Sequence, residues 1–194
     1  MSSNRSCHSY LRCGLLAPPS PCCRHVDRPP LPRQLATIGA LLNPQTPDRV
    51  LYVDGTGAGK SHAMRVVGGM LGRVTLVFIP LLTLSADVLE KFKTTNNEFG
   101  EVNVSHLDEV FEISQQQYRD VLALVAEMRP CSDSTHFVFL SPQFLVKHPD
   151  AREVFLDAAR RGVVGLVVID EVHLHVQHGT SFRNDIHELR DVFF

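Results

Sequence analysis

Two short stretches carry residue types that could do chemistry together. Gly55-Thr56-Gly57-Ala58-Gly59-Lys60-Ser61 follows the apolar run Val50-Leu51-Tyr52-Val53. Asp170-Glu171-Val172-His173 follows a second apolar run, residues 163–169. In the first stretch the glycines let the backbone wrap closely and turn its N–H groups inward, forming a cradle for phosphate. A helix starting at Lys60 aims its positive end at the same point. Lys60 supplies a point charge for the β and γ phosphates, and the Ser61 hydroxyl suits magnesium. In the second stretch Asp170 can hold magnesium, directly or through water, and Glu171 can orient or deprotonate an attacking water. His173 would face the γ-phosphate side. Either stretch has a bland alternative: a Gly-rich turn for the first, a solvated strand end for the second. Their joint placement after strands favours ATP, with magnesium, as the ligand. One residue departs from the general phosphate-loop pattern. Asp54 stands where that pattern has Gly or Ala, and a carboxylate there repels a triphosphate unless it is turned away or neutralised by magnesium.

The elements that must position these groups alternate strand and helix from Gln34 onward. The pattern predicts helices over residues 35–42, 60–71, 83–93, 114–128, 151–160 and 185–192. It predicts strands over 50–53, 74–79, 102–104 (the weakest), 137–140 and 163–169. In the 114–128 helix, Val121, Leu122, Leu124 and Val125 are read as the apolar side. Strands separated by helices imply an α/β fold with a mostly parallel sheet covered on both faces. Ligands of such sheets bind at the carboxyl ends of the strands, where both stretches fall.

The 194 residues divide into a tail, residues 1–32, and one domain, residues 33–194. Ser, Arg, Cys and Pro dominate the tail, which cannot bury enough apolar surface to offset the entropy of ordering and reads as disordered. Cys22, Cys23 and His25, even with Cys7 and Cys13, fit no common zinc spacing. A net charge of -2 excludes a global basic field and leaves only a local patch for nucleic acid. The longest apolar run is far too short to span a bilayer, so no membrane partner is expected. The Arg- and Ser-rich start leaves a mitochondrial transit peptide as a minor alternative to other compartments.

These residues resemble the first RecA-like motor domain of a superfamily-2 DNA helicase of the RecQ family. Residues 55–61 resemble the family's Pro-Thr-Gly-Gly-Gly-Lys-Ser. Ile79-Pro80-Leu81-Leu82-Thr83-Leu84, with Asp87, resembles Ser-Pro-Leu-Ile-Ser-Leu. Phe139-Leu140-Ser141-Pro142-Gln143-Phe144-Leu145 resembles Tyr-Val-Ala-Pro-Glu-Arg-Leu. Most specific is Asp170-Glu171-Val172-His173 followed by Gln177, Gly179, Phe182 and Arg183, against Asp-Glu-Ala-His and Ser-Gln-Trp-Gly-His-Asp-Phe-Arg. The resemblance covers residues 31–194 in order, and implies a three-layer P-loop NTPase domain that binds ATP and magnesium. It implies an adenine-reading role for Gln34, whose setting Leu31-Pro32-Arg33-Gln34 only partly fits the family's Arg-Pro-Gly-Gln. It also implies nucleic-acid coupling through Gln177, Phe182 and Arg183. His178 replaces the family's tryptophan in that segment, so stimulation of hydrolysis by DNA is expected to be weak.

Helicases of this class hydrolyse ATP between two RecA-like domains, the second supplying an arginine to the transition state. The sequence stops at Phe194, before a second such domain, so that partner is expected in cis or in trans. The expected function is an ATP-dependent DNA helicase domain, weak or inactive alone, with DNA favoured over RNA. The expected compartment is the nucleus in a eukaryote or the cytoplasm in a bacterium. A non-enzymatic, nucleotide-dependent binding module derived from a helicase is the alternative. A small kinase is a third reading that the segment after Asp170 argues against.

Overall fold

Helix α1 (Pro32–Leu42) opens the fold with Pro at its first turn, where the missing N–H costs nothing. The computed structural model describes residues 31–43, 45, 49–54, 58–79, 92, 101–107, 113–130 and 134–170. The expected tail up to residue 30, most of the 83–93 helix and the 185–192 helix lie outside these residues. After α1 come α2 (Lys60–Leu71), β1 (Val74–Phe78), β2 (Glu101–Leu107), α3 (Gln115–Glu127), β3 (Ser134–Leu140), α4 (Pro142–Lys147), α5 (Pro149–Arg160) and β4 (Val164–Ile169).

The strands form one sheet in the order β2-β3-β1-β4, and every pairing is parallel. Val74, Leu76, Val77, Phe137, Val138, Phe139 and Leu140 are fully buried, as continuous apolar strands covered on both faces must be. On one face, Val125 of α3, Phe144 and Leu145 of α4, and Phe155 and Ala158 of α5 pack against Leu76, Val138 and Leu140. On the other face, Met64 of α2 packs with Phe92, Val77, Phe137 and Phe139. Outside that layer α1 meets α2 through Ile38, Ala63, Val66 and Val67. Gly68 allows the close approach of α2 to the sheet, because a Cβ there would stand 2.7 Å from both the Phe137 ring and the Thr75 hydroxyl.

Capping explains several boundaries. The Ser114 hydroxyl accepts from the Gln117 backbone N–H and starts α3. Arg161 ends it from a distance, donating to the Met128 and Val125 carbonyls at 3.0 and 3.3 Å while pairing with Asp157 at 2.7 Å. The Ser141 hydroxyl accepts from Phe144 N–H and starts α4. The Tyr118 hydroxyl donates to Asp150 at 2.6 Å and ties α3 to the first turn of α5. Burial first, then that bond, pushes the Tyr118 phenol up from its ordinary range.

Three expectations need correction. Residues 50–53 form no strand: among the described residues they have no ladder partner, and Leu51 and Val53 are 77% and 81% exposed. Tyr52 turns inward, onto the cluster shared by α1, α2 and Leu166. An apolar run becomes a strand only where a neighbour supplies the other half of the ladder. In α3, Leu124 is exposed, not part of the apolar side. The buried stripe is Tyr118, Val121, Leu122 and Val125, at the i, i+3, i+4, i+7 spacing of one helix face. The segment expected as a weak strand, by contrast, is a seven-residue strand paired along its whole length with β3.

His136 of β3 is 6% exposed, with Nε2 at 3.0 Å from the Ser105 hydroxyl of β2. Burial lowers its pKa to about 4 from 6.5. The folded chain therefore keeps His136 neutral where the unfolded chain binds a proton. Its contribution is intact above about pH 6.5 and is lost as pH falls towards about 4, by on the order of 3 kcal/mol at most. Thermal unfolding followed across that window should show this acid limb. A His136→Gln variant, which keeps a hydrogen-bonding group but does not titrate there, should flatten it.

Candidate functional site

The parallel sheet sets the site's location. Helix α2 runs into β1 through Gly72 and Arg73, so its first residue stands at the carboxyl end of β1. β4 ends at the same edge, where Asp170 N–H donates to the Phe78 carbonyl at 2.9 Å. β3 ends there too, its Leu140 carbonyl accepting from Ile79 N–H at 3.0 Å. Lys60, Ser61 and Asp170 therefore share one edge of the molecule. That is the edge where the first N–H groups of α2, which have no acceptor within their own helix, can face a ligand.

The described part of the phosphate loop is residues 54 and 58–61. Gly59 precedes α2 with φ 80°, a left-handed conformation that favours glycine. Its carbonyl accepts from His62 N–H at 3.0 Å, which starts the helix. A Cβ on Gly59 would fall 2.3 Å from the Gln34 Nε2, so the position is closed to any side chain by space as well as by φ.

Helix α1 holds the loop at both ends. The Gln34 amide is 5% exposed. Its Nε2 donates to the Ala58 carbonyl at 3.0 Å and to the Gly59 carbonyl at 3.2 Å. Its Oε1 accepts from Leu31 N–H at 2.7 Å. At the other end Arg33 Nε lies 2.7 Å from the Asp54 carboxylate, and the Tyr52 hydroxyl donates to the same oxygen at 3.2 Å. Burial first, then that bond, raises the Tyr52 pKa. The Asp54 backbone carbonyl in turn accepts from Lys60 Nζ at 2.9 Å. The Asp54 carboxylate is thus held on α1 and paired with Arg33, a cation other than the magnesium expected to neutralise it.

Among the expected site residues, Gln34, Ala58, Gly59 and Lys60 meet in this cluster. Ser61 is exposed one residue into α2, and Asp170 is half-buried at the end of β4. Gly55, Thr56, Gly57, Glu171, His173, Gln177, Phe182 and Arg183 lie outside the described residues. Sequence reasoning missed Arg33 and Tyr52. The signal for Arg33 was present, since an acid in a phosphate loop calls for a cation nearby, but nothing in the sequence said which one.

Comparison with known proteins agrees with this geometry. A family model described as DEAD/DEAH box helicase matches residues 31–193. The chain is similar to the RecQ-like DNA helicase blm-1 of Caenorhabditis elegans, 31% identical over 134 residues, which cover 69% of this chain and 13% of the relative. It is also similar to the probable ATP-dependent DNA helicase RecS of Bacillus subtilis, 28% identical over 134 residues, 69% of this chain and 23% of the relative. The chain therefore spans less than a quarter of the length of either relative.

The closed space at Gly59 makes a direct prediction. Gly59→Ala must evict the Gln34 amide and strain the backbone. It should cost roughly 1–3 kcal/mol in thermal stability and weaken binding of a fluorescent ATP analogue by more than about tenfold.

Proposed function

This chain belongs to the DEAD/DEAH box helicase family, and on that premise we propose that it is the ATP-binding first motor domain of a RecQ-like DNA helicase, working with magnesium and a second RecA-like domain. The observation that carries the reading is the braced loop. It ends at a helix N-terminus, presents Lys60 and the exposed Ser61 hydroxyl, and shares its edge with the Asp170 carboxylate.

The residues fit both ligands. A hydroxyl and a carboxylate are hard oxygen donors of the kind magnesium takes, so Ser61 and Asp170 would hold it. When bound, the ion neutralises charge on the β and γ phosphates. Lys60 exchanges the Asp54 carbonyl for phosphate oxygens. Gln34 already gives both amide protons to the loop and accepts from Leu31, which leaves one lone pair on Oε1. An adenine amino group is the donor it can accept without releasing the loop. The resemblance assigns Glu171 to orienting the attacking water, His173 to sensing the γ-phosphate, and Gln177, Phe182 and Arg183 to coupling the site to DNA. Phe182 would stack on a base and Arg183 would contact phosphate.

ATP turnover by the purified chain, with and without single-stranded DNA and a second motor domain, tests this reading. Turnover should rise with both additions and fall by more than about a hundredfold in Glu171→Gln. Turnover unaltered by Glu171→Gln would not come from this site. Measurable ATP binding with no turnover under any condition would favour the non-enzymatic module instead.

A further inference from the structure

Two positions carry charge where the patterns they resemble carry none. Asp54 stands where the general phosphate-loop pattern has Gly or Ala, and Arg33 stands where the related Arg-Pro-Gly-Gln segment carries glycine. They are 21 residues apart in sequence, and their side chains meet at 2.7 Å. The Asp54 side chain is only 15% exposed, so water screens little of its charge, whereas the Arg33 side chain is 54% exposed and reaches in from α1. Tyr52 completes the seat by donating to the same oxygen. Asp54 also holds Lys60 through its carbonyl. One residue thus faces α1 with its carboxylate and the phosphate-binding lysine with its backbone.

We propose that Arg33 is a positioning residue for nucleotide binding: by holding the Asp54 carboxylate against α1 it lets a loop with an acid at its first position accept a polyphosphate. This rests on the reading of the loop as an ATP site. A carboxylate freed at the loop entrance would repel each phosphate through a partly desolvated medium, where such interactions are several times stronger than in bulk water. It could also swing onto Lys60 and compete for the cation the phosphates need. The Arg33 side chain is 54% exposed but its removal leaves a poorly screened carboxylate, so thermal unfolding of Arg33→Ala is followed beside binding to separate a loss of fold from a loss of affinity.

The pair makes a sign-specific prediction for the affinity of magnesium-ATP measured by calorimetry. Arg33→Ala should weaken binding about tenfold, more steeply at low salt than at high salt. Arg33→Lys, which keeps the charge, should retain most of the affinity. Asp54→Asn should bind as tightly as the unaltered chain or more tightly. The double variant R33A/D54N should return to within about twofold of Asp54→Asn, because Arg33 then has no charge to neutralise. A double variant as weak as Arg33→Ala would mean that Arg33 contacts the nucleotide itself, and would overturn the proposal. So would an Arg33→Ala variant that binds as the unaltered chain does. The Gly59→Ala variant separates the two levels of the argument. If it loses ATP while Arg33→Ala does not, only the role of the pair fails. If the unaltered chain binds no ATP, the nucleotide reading and this proposal fail together.

Discussion

The hydrogen bonds that run β1 parallel to β3 on one side and to β4 on the other bring Leu140, Phe78 and Ile169 level at one edge of the sheet. Parallel strands need crossovers: among the described residues β2 returns to β3 through α3, and β3 to β4 through α4 and α5. Helix α2 leads into β1 through Gly72 and Arg73, so it too begins at the edge where the strands end. That single constraint puts Lys60 at the head of α2 and Asp170 at the tail of β4 on the same side of the molecule, although 110 positions separate them. The apolar strands fix it. A slip by one residue would turn Phe137 and Phe139 away from Phe92 and Met64 and expose them.

On this platform the phosphate loop is held by a helix that precedes it in sequence and belongs to no strand crossover. Gln34 bonds the carbonyls at the end of the loop, and Arg33 pairs with the acid at its beginning. Because both residues lie in the first turn of α1, a small tilt of that helix moves both ends of the loop at once. The packing of Ile38 against Ala63, Val66 and Val67 is what resists such a tilt. In the proposed reading, binding of a base near Gln34 and of phosphates near Lys60 would thereby be joined through a few hydrogen bonds.

Much of this was legible in the sequence for identifiable reasons. Gly59-Lys60-Ser61 after an extended segment reads as a helix start, and α2 begins at Lys60. The run ending at Ile169 reads as a strand, and β4 ends there with Asp170 N–H on the Phe78 carbonyl, although the strand is half-buried along its length and not buried as its apolar run implies. The α/β class followed from alternation alone. Other parts depended on partners that sequence does not name. Residues 50–53 have the composition of a strand but no neighbour to pair with among the described residues. Leu124 has the right chemistry and the wrong angle around α3. The helix from Pro142 to Lys147 was not among the expected helices, since its six residues form one only because Phe144 and Leu145 find the core. The Arg33–Asp54 contact joins two residues that look like unrelated departures until the fold brings α1 beside the loop.

The central claim is that this loop binds a nucleoside triphosphate through Lys60. A calorimetric titration of magnesium-ATP into the purified chain and into its Lys60→Ala variant tests it most directly. The account predicts saturable one-site binding to the unaltered chain and a loss of at least about a hundredfold in the variant, with unchanged thermal unfolding. Equal affinity in the two proteins would contradict it.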